Sequence, residues 1–374
     1  MRRRTICALR RRELLKGLVG AALLPIGCER PPRRLFASAQ GDTDETFSLV
    51  VVDERGVACE IRSSFRGHGL AQNPIAREST IMFGRRPATE CLVVDIDEGV
   101  ARGRLVCPAS RRFQGHGCFS ADGAFVFATE ADVVTADGKL GIYRADTLAR
   151  IDELDTYGKE PHEVALLPDG STLVVANGGL VTHAGSSETP ENLDTMDSTL
   201  ALVDARTGVR VSEHRVPEPK ASIRHLAVTR EGAIVFGMQV QREAMARDDA
   251  VPLVSVLRLG ASIAPLVVDE GLTRAMKDYV GSVAVCAATG VAATSSPRGD
   301  LVLFFDVGSG EEIGHHAFAD VCGIAVDEAR ATFWLAGSGG RVRAIDAHTL
   351  VEREGARRAF EPLRFDNHLL ALGG

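Results

Sequence analysis

FQGHGCFS at residues 113–120 repeats the pattern of FRGHGLAQ at residues 65–72, with His116 and His68 each held between two glycines. The same unit returns along the chain. His162 opens EPHEVALLPDGSTLVVANGG (160–179), His225 lies in SIRHLAVTREGAIVFGMQ (222–239), and Ser282 takes the place in YVGSVAVCAATGVAATSSPRG (279–299). Cys322 follows in ADVCGIAVDEARATFWLAGSGG (319–340) and His368 in FDNHLLALGG (365–374). Each copy has a short apolar run, a turn such as Asp169–Gly170, and a returning apolar run, which reads as a β-hairpin followed by two further strands. Seven such anchors, 40 to 63 residues apart, predict an all-β chain of seven four-stranded blades. If any blade is short of a strand, it is the one in the brief repeat from Ser282 to Val321.

The chain ends predict a closed ring. After His368 only one strand remains, while RLFASAQ (34–40), FSLVVVD (47–53) and VACEIRS (57–63) supply the second, third and fourth strands of a blade. Arg34–Ala39 is therefore expected beside His368–Leu372, and closure removes the open sheet edges that invite aggregation. The propeller is expected to span residues 33–374.

In a propeller the first strand of each blade lines the central channel, so the anchors should form a ring near one mouth. Period-two alternation then puts Leu70, Cys118, Val164, Ala227, Ala284, Ile324 and Leu370 beneath them as an apolar floor. His68, His116, His162, His225 and His368 with Cys322 bring imidazoles and a thiol together. That donor set suits iron, copper or zinc, whereas magnesium and calcium prefer oxygen. Glycines 67, 69, 115 and 117 are expected to let the backbone pass close to the axis.

Long connections open on the same face. They are expected to bring Asn177, His183, Asn192, Asp194, Asp197, Met238, Gln239 and Lys277 toward the ligands or a substrate. Arg298, in TSSPRGD, is a candidate anion contact there, and Arg224 adjoins His225.

Composition narrows the alternatives. The 374 residues are 45% hydrophobic with a formal charge of −7, enough for a large folded body and contrary to a nucleic-acid or anionic-membrane footprint. Aromatics are 5% and are not interleaved with basic runs. The eight cysteines form no CxxC or disulfide framework. There is no phosphate loop, dinucleotide fingerprint, nucleophile elbow or HExxH helix, because Glu163 after His162 lies in a strand pattern.

Residues 1–30 form a separate unit. Arg11-Arg12-Glu13-Leu14-Leu15-Lys16 before a short apolar stretch reads as a twin-arginine export signal, too short to serve as a membrane-spanning helix. Cys28 offers an alternative lipid attachment point, although Pro25 stands where such a site usually carries Leu. A periplasmic protein without a transmembrane domain in its mature form is expected.

Taken together, the twin-arginine start, GHG, PHEVALLPDG, LVVANGG, NLDTMDSTLA, SIRHLAV, MKDYVGSVA, ATSSPRG, ADVCG and FDNHLLAL give a chain that resembles the bacterial family catalogued as domain of unknown function 1513. The resemblance implies an exported seven-bladed propeller of Gram-negative bacteria, often encoded beside imelysin-like and di-haem oxidoreductase-like proteins associated with iron acquisition. Periplasmic iron-uptake proteins are the partners it implies. In that family the matching positions here are His68, His116, His162, Arg224 with His225, Ser282, Cys322 and His368. The expected function is a periplasmic transition-metal-binding accessory protein. The alternatives are a metal-dependent hydrolase or oxidoreductase using the same pocket, and a non-catalytic interaction scaffold.

Overall fold

The computed structural model describes residues 33–41, 46–182 and 190–372. The export signal, Cys28 and His183 lie outside the described residues. Among the described residues no helix is long and apolar enough to cross a membrane.

Seven antiparallel four-stranded sheets are arranged as a β-propeller. Blades 1 to 6 occupy residues 67–106, 111–159, 161–214, 221–265, 282–317 and 321–359. The seventh is shared by the two ends. Its inner strand Phe365–Ala371 pairs with Arg34–Gly41, which pairs in turn with Phe47–Asp53 and then Val57–Ser63. The closure expected from the chain ends is therefore found, with Phe36 opposite Ala371 and Ala37 opposite Leu370. The blade beginning at Ser282 has all four strands. Economy appears elsewhere: the outermost strands of blades 4 and 6 are the two-residue Ala264–Pro265 and Arg358–Ala359.

Position within the blade explains the hydrophobic pattern. Middle strands such as Phe47–Asp53, Thr172–Asn177 and Thr332–Gly337 carry continuous apolar runs and are buried along nearly their whole length. Both of their faces pack on neighbouring blades, so neither side has room for polar residues. Outer strands face solvent, as in Val100–Val106 and Glu312–Ala317. The core consequently lies between blades: Leu35, Phe36, Val50 and Val52 of the closing blade pack with Trp334, Ala336 and Val342 of blade 6. The turns leading to the outer strands share a device. Asp53, Asp95, Asp204 and Asp346 each accept hydrogen bonds through Oδ1 from the amides two and three residues on.

One closing contact reaches the channel directly. Ser38, fully buried, donates from Oγ to the carbonyl of His368 at 2.9 Å. Ser38→Ala leaves that carbonyl without its hydroxyl partner and is expected to lower unfolding free energy by about 1 kcal/mol in urea titration. An unchanged midpoint would mean that the bond does not contribute to ring closure.

Candidate metal centre

Each blade presents its first strand to the channel, and five of these strands carry a histidine: His68, His116, His162, His225 and His368. Six of the seven inner strands break register at or next to the anchor, between Gly67 and Leu70, Phe113 and Gly117, Pro161 and Glu163, Ile223 and His225, Val321 and Gly323, and along Phe365 to Leu369. A bulge bends the strand and re-aims the side chain it carries. Only the strand Ser282–Cys286 runs in unbroken register, and it has no histidine.

The bulges correct the expectation of a single common register. In blades 3, 4 and 6 the extra residues are His162, Arg224 and Cys322. His225 instead takes the ladder position opposite Gly237, as Glu163 does opposite Ala176 and Gly323 opposite Ala336.

All five imidazoles nevertheless converge. Ring centroids lie 4.6 Å apart for His68–His368, 4.7 Å for His116–His368, His162–His225 and His225–His368, and 4.9 Å for His68–His116. Two triads each offer ligand nitrogens within 4.8 Å of one another, His68–His116–His162 and His116–His225–His368, and they share His116. Two glycines make this density feasible. A Cβ on Gly69 would stand 2.7 Å from His116 Nδ1, and one on Gly115, at φ +105°, 2.7 Å from His68 Cδ2. Gly67 and Gly117 are small for other reasons, because their missing Cβ atoms face Met82 and Phe83.

Two carboxylates that the sequence reading did not assign to the site hold the ring. Asp366, two residues before His368, is 2% exposed and lies 2.7 Å from His68 Nδ1. Its other oxygen accepts from Arg66 at 2.8 Å and lies 3.6 Å from Arg85. Burial raises its pKa, but the bond and charge of His68, then Arg85 and Arg66, override this and hold it well below the usual carboxylate range. Asp366 is thus the acceptor, and His68 donates to it from Nδ1, which leaves Nε2 as the nitrogen turned away from the carboxylate. Glu163 lies 3.2 Å from His225 Nδ1 and 3.8 Å from His116 Nδ1, and accepts from the Leu226 amide at 3.1 Å. Burial pushes its carboxyl up to about 8, although the Leu226 N–H opposes this.

Burial disfavours the charged form of the other four ring histidines. Burial first, then the neighbouring imidazoles, holds His116 and His368 well below the usual histidine value; in His225 burial is followed by His68, and in His162 by Arg224. Nε2 of His116, His162 and His368 is buried with no hydrogen-bond partner among the described residues. Buried polar atoms are ordinarily paired, and three orphan imidazole nitrogens at one mouth are what metal ligands look like without their ion. The residues present fit a transition metal.

Other expected residues fall elsewhere or beside the ring. Cys322 is buried, its thiol pushed up to about 12 by burial and then Asp320; Sγ lies 3.5 Å from the Asp320 carbonyl, and it belongs to neither triad. Arg224 donates to Gln239 at 3.2 Å and lies 3.6 Å from Glu160, while Arg298 stacks 4.8 Å over the Tyr279 ring. Ser282 is buried opposite Ser295. Asn177 is fully buried and bonds Thr156 and Thr199, and Met238 belongs to the apolar core. Asn192 ties its own loop at Val181 and Gly179, and Asp197 pairs with Arg215. Asp194 and Lys277 are exposed. Of the apolar floor, Val164 and Ile324 are buried, and Leu70, Cys118, Ala227, Ala284 and Leu370 half-buried.

Comparison with known proteins gives a family without an activity. The family described as "Protein of unknown function (DUF1513)" matches residues 61–372. No curated protein matches the chain. Among solved structures, the hydrazine synthase of Kuenenia stuttgartiensis is similar in fold, with a TM-score of 0.63 at 15% identity over 82% of this chain and 93% of that one. At that identity the likeness shows a shared propeller architecture alone.

Proposed function

Because this chain belongs to DUF1513, a family of unknown function, we propose its function from the site itself: a periplasmic propeller that holds a transition-metal ion on imidazole nitrogens at one channel mouth and serves as an accessory protein in iron acquisition. The observation that carries metal binding is the set of three buried, unpartnered Nε2 atoms on His116, His162 and His368 within two interlocking histidine triads. Iron, copper and zinc are the metals such a nitrogen set favours. Asp366 orients His68, and Glu163 lies against His225, the role carboxylates play behind metal-bound histidines. The periplasmic location is supported by Arg11 and Arg12 ahead of the apolar stretch, and the iron role by the family resemblance.

A second reading is a metal-dependent hydrolase or oxidoreductase. It is favoured by the triads themselves, since three protein ligands leave a coordination position open to a substrate. A bound ion there would supply Lewis acidity or a redox couple.

Elemental analysis of untagged protein, followed by titration of EDTA-stripped protein with Zn(II), Co(II) and anaerobic Fe(II), tests the reading. About one ion per chain is expected, with binding that weakens in acid as imidazoles take up protons. Stripped protein that binds none of the three removes the metal reading. Export is tested separately by replacing Arg11 and Arg12 with lysine, which should leave precursor in the cytoplasm; undiminished periplasmic yield would remove the twin-arginine assignment.

A further inference from the structure

Five arginines gather around the imidazole mouth, in a chain whose net charge is −7. Arg66 precedes the inner strand of blade 1, and Arg85 and Arg86 follow its second strand, where the Arg85 amide bonds the Arg66 carbonyl. Arg224 is in the inner strand of blade 4, and Arg298 follows the second strand of blade 5. Antiparallel pairing puts the start of a first strand and the end of the second on one face, so all five guanidinium groups belong to the face that carries the histidines. Three carboxylates answer them there. Asp366 is met by Arg66 and Arg85, Glu160 by Arg86 and Arg224, and Glu163 by histidines. Asp320, beside Cys322, and Asp300, which accepts from the Asp320 amide, add further acidic groups on this face.

Arg224 is the one of the five with a buried guanidinium nitrogen that makes no hydrogen bond among the described residues. Its Nη2 donates to Gln239, but Nη1 is buried, 3.6 Å from Glu160, and has no hydrogen-bond partner among the described residues. It is close enough to depress the pKa of His162 and His225, each already lowered chiefly by burial. Tyr279 stands by it: burial raises its hydroxyl pKa, while Arg224, Arg85 and Arg298 act to lower it. Its hydroxyl also lies 3.5 Å from Asn367, next to His368. A metal ion cannot occupy the free hydrogen-bonding position of Arg224 Nη1, because both are positive. An anion can be received by both, with oxygens toward the ion and toward Nη1.

We propose that this mouth takes its metal together with a small oxyanion, a carbonate, carboxylate or phosphate, anchored on Arg224 with Arg85 and Tyr279 as neighbours. The proposal rests on the metal reading and names the ligand that completes the site. The two bindings are then coupled, each strengthening the other by the same factor.

EDTA-stripped protein is titrated with Zn(II) in bicarbonate-free buffer, and again with bicarbonate, acetate or phosphate present; each anion is also titrated with and without Zn(II). At least one anion is expected to tighten zinc binding by about tenfold, zinc should tighten that anion equally, and Arg224→Gln should reduce the coupling to near unity. The anion that couples most strongly identifies the oxyanion class. Should Arg224→Gln not fold, Arg85→Gln and Tyr279→Phe are read the same way, each expected to lower the coupling factor. Zinc binding that is indifferent to all three anions overturns the proposal and leaves the metal reading standing, with Arg224 serving only Glu160 and Gln239. Failure to bind zinc under every condition overturns the metal reading, whereas anion binding to stripped protein, lost in Arg224→Gln, would still support the anion site.

Discussion

His116→Ala should weaken binding of Zn(II) or Co(II) more than any other single histidine replacement in the ring. His116 is the one residue common to both triads. Removing it leaves only the pairs His68–His162 and His225–His368, whereas removing His162 or His225 leaves one triad complete. Loss of a residue that merely orients a ligand costs 10- to 100-fold in affinity, so loss of the shared ligand is expected to cost at least about 100-fold. The combination carries the sharper test. His162→Ala and His225→Ala should each have a modest effect, yet the double variant breaks both triads and should approach His116→Ala, exceeding the sum of the single losses in free energy. Co(II) absorption would report the change in ligand number alongside affinity. Melting temperature and far-ultraviolet circular dichroism check the fold, and His116→Gln, closer in volume, covers the case in which alanine destabilises the ring. If His116→Ala binds metal as the parent does while His162→Ala does not, the site is not built around the shared histidine.

The propeller was legible because each copy of the unit carries the same alternation of apolar runs and turns, and because the segments 34–63 and 365–371 are complementary parts of one blade. The histidines were legible for a related reason, since a residue type that recurs beside glycine at blade spacing stands out from ordinary loop histidines. What was not legible is the backbone break beneath them. A bulge adds one residue without changing composition, so the sequence alone placed His162, His225 and Cys322 in one register, although the ladder puts His162 with Arg224 and His225 with Glu163. The same one-residue uncertainty bears on Cys322, whose thiol turns to Asp320. The supporting carboxylates were visible as letters, in PHE and FDNH, but acidic residues beside histidines are too common to single out without the geometry that sets Asp366 2.7 Å from His68, some 298 residues away in the chain. Asn177 and Met238 show the opposite error. Asn177 ends the strand Thr172–Asn177 and Met238 lies late in Ile234–Val240, but their side chains turn into the protein, where Asn177 ties Thr156 to Thr199 and Met238 joins the core.

Metal-free protein should be most stable near neutrality and should lose stability steeply below about pH 6.5, because the buried ring resists protonation. His116, His162, His225 and His368 all have native pKa values well below the unfolded one. For such groups the stabilisation is fully present above the unfolded pKa and is lost as pH falls from there through the native values, since the unfolded chain takes up protons that the fold refuses. Glu163 has the opposite sign. Its native pKa of about 8 lies above the unfolded value, so its contribution is present at low pH and lost as pH rises through about 8. From pH 8 down to about 6.5 the fold therefore gains from one proton, at most about 1.4 kcal/mol per pH unit. Below that, four histidines oppose one glutamate, and the net loss should reach about 4 kcal/mol per pH unit. Urea unfolding at half-unit intervals between pH 8 and 5, in EDTA, reads the slope directly. His162→Gln should remove one proton from it, flattening the acidic limb by about 1.4 kcal/mol per pH unit, while Glu163→Gln should remove the gentle alkaline limb and steepen the acidic one. A flat profile between pH 6.5 and 5, or a limb unchanged in His162→Gln, would mean that the imidazoles are free to protonate in the native state and that the ring is open to water.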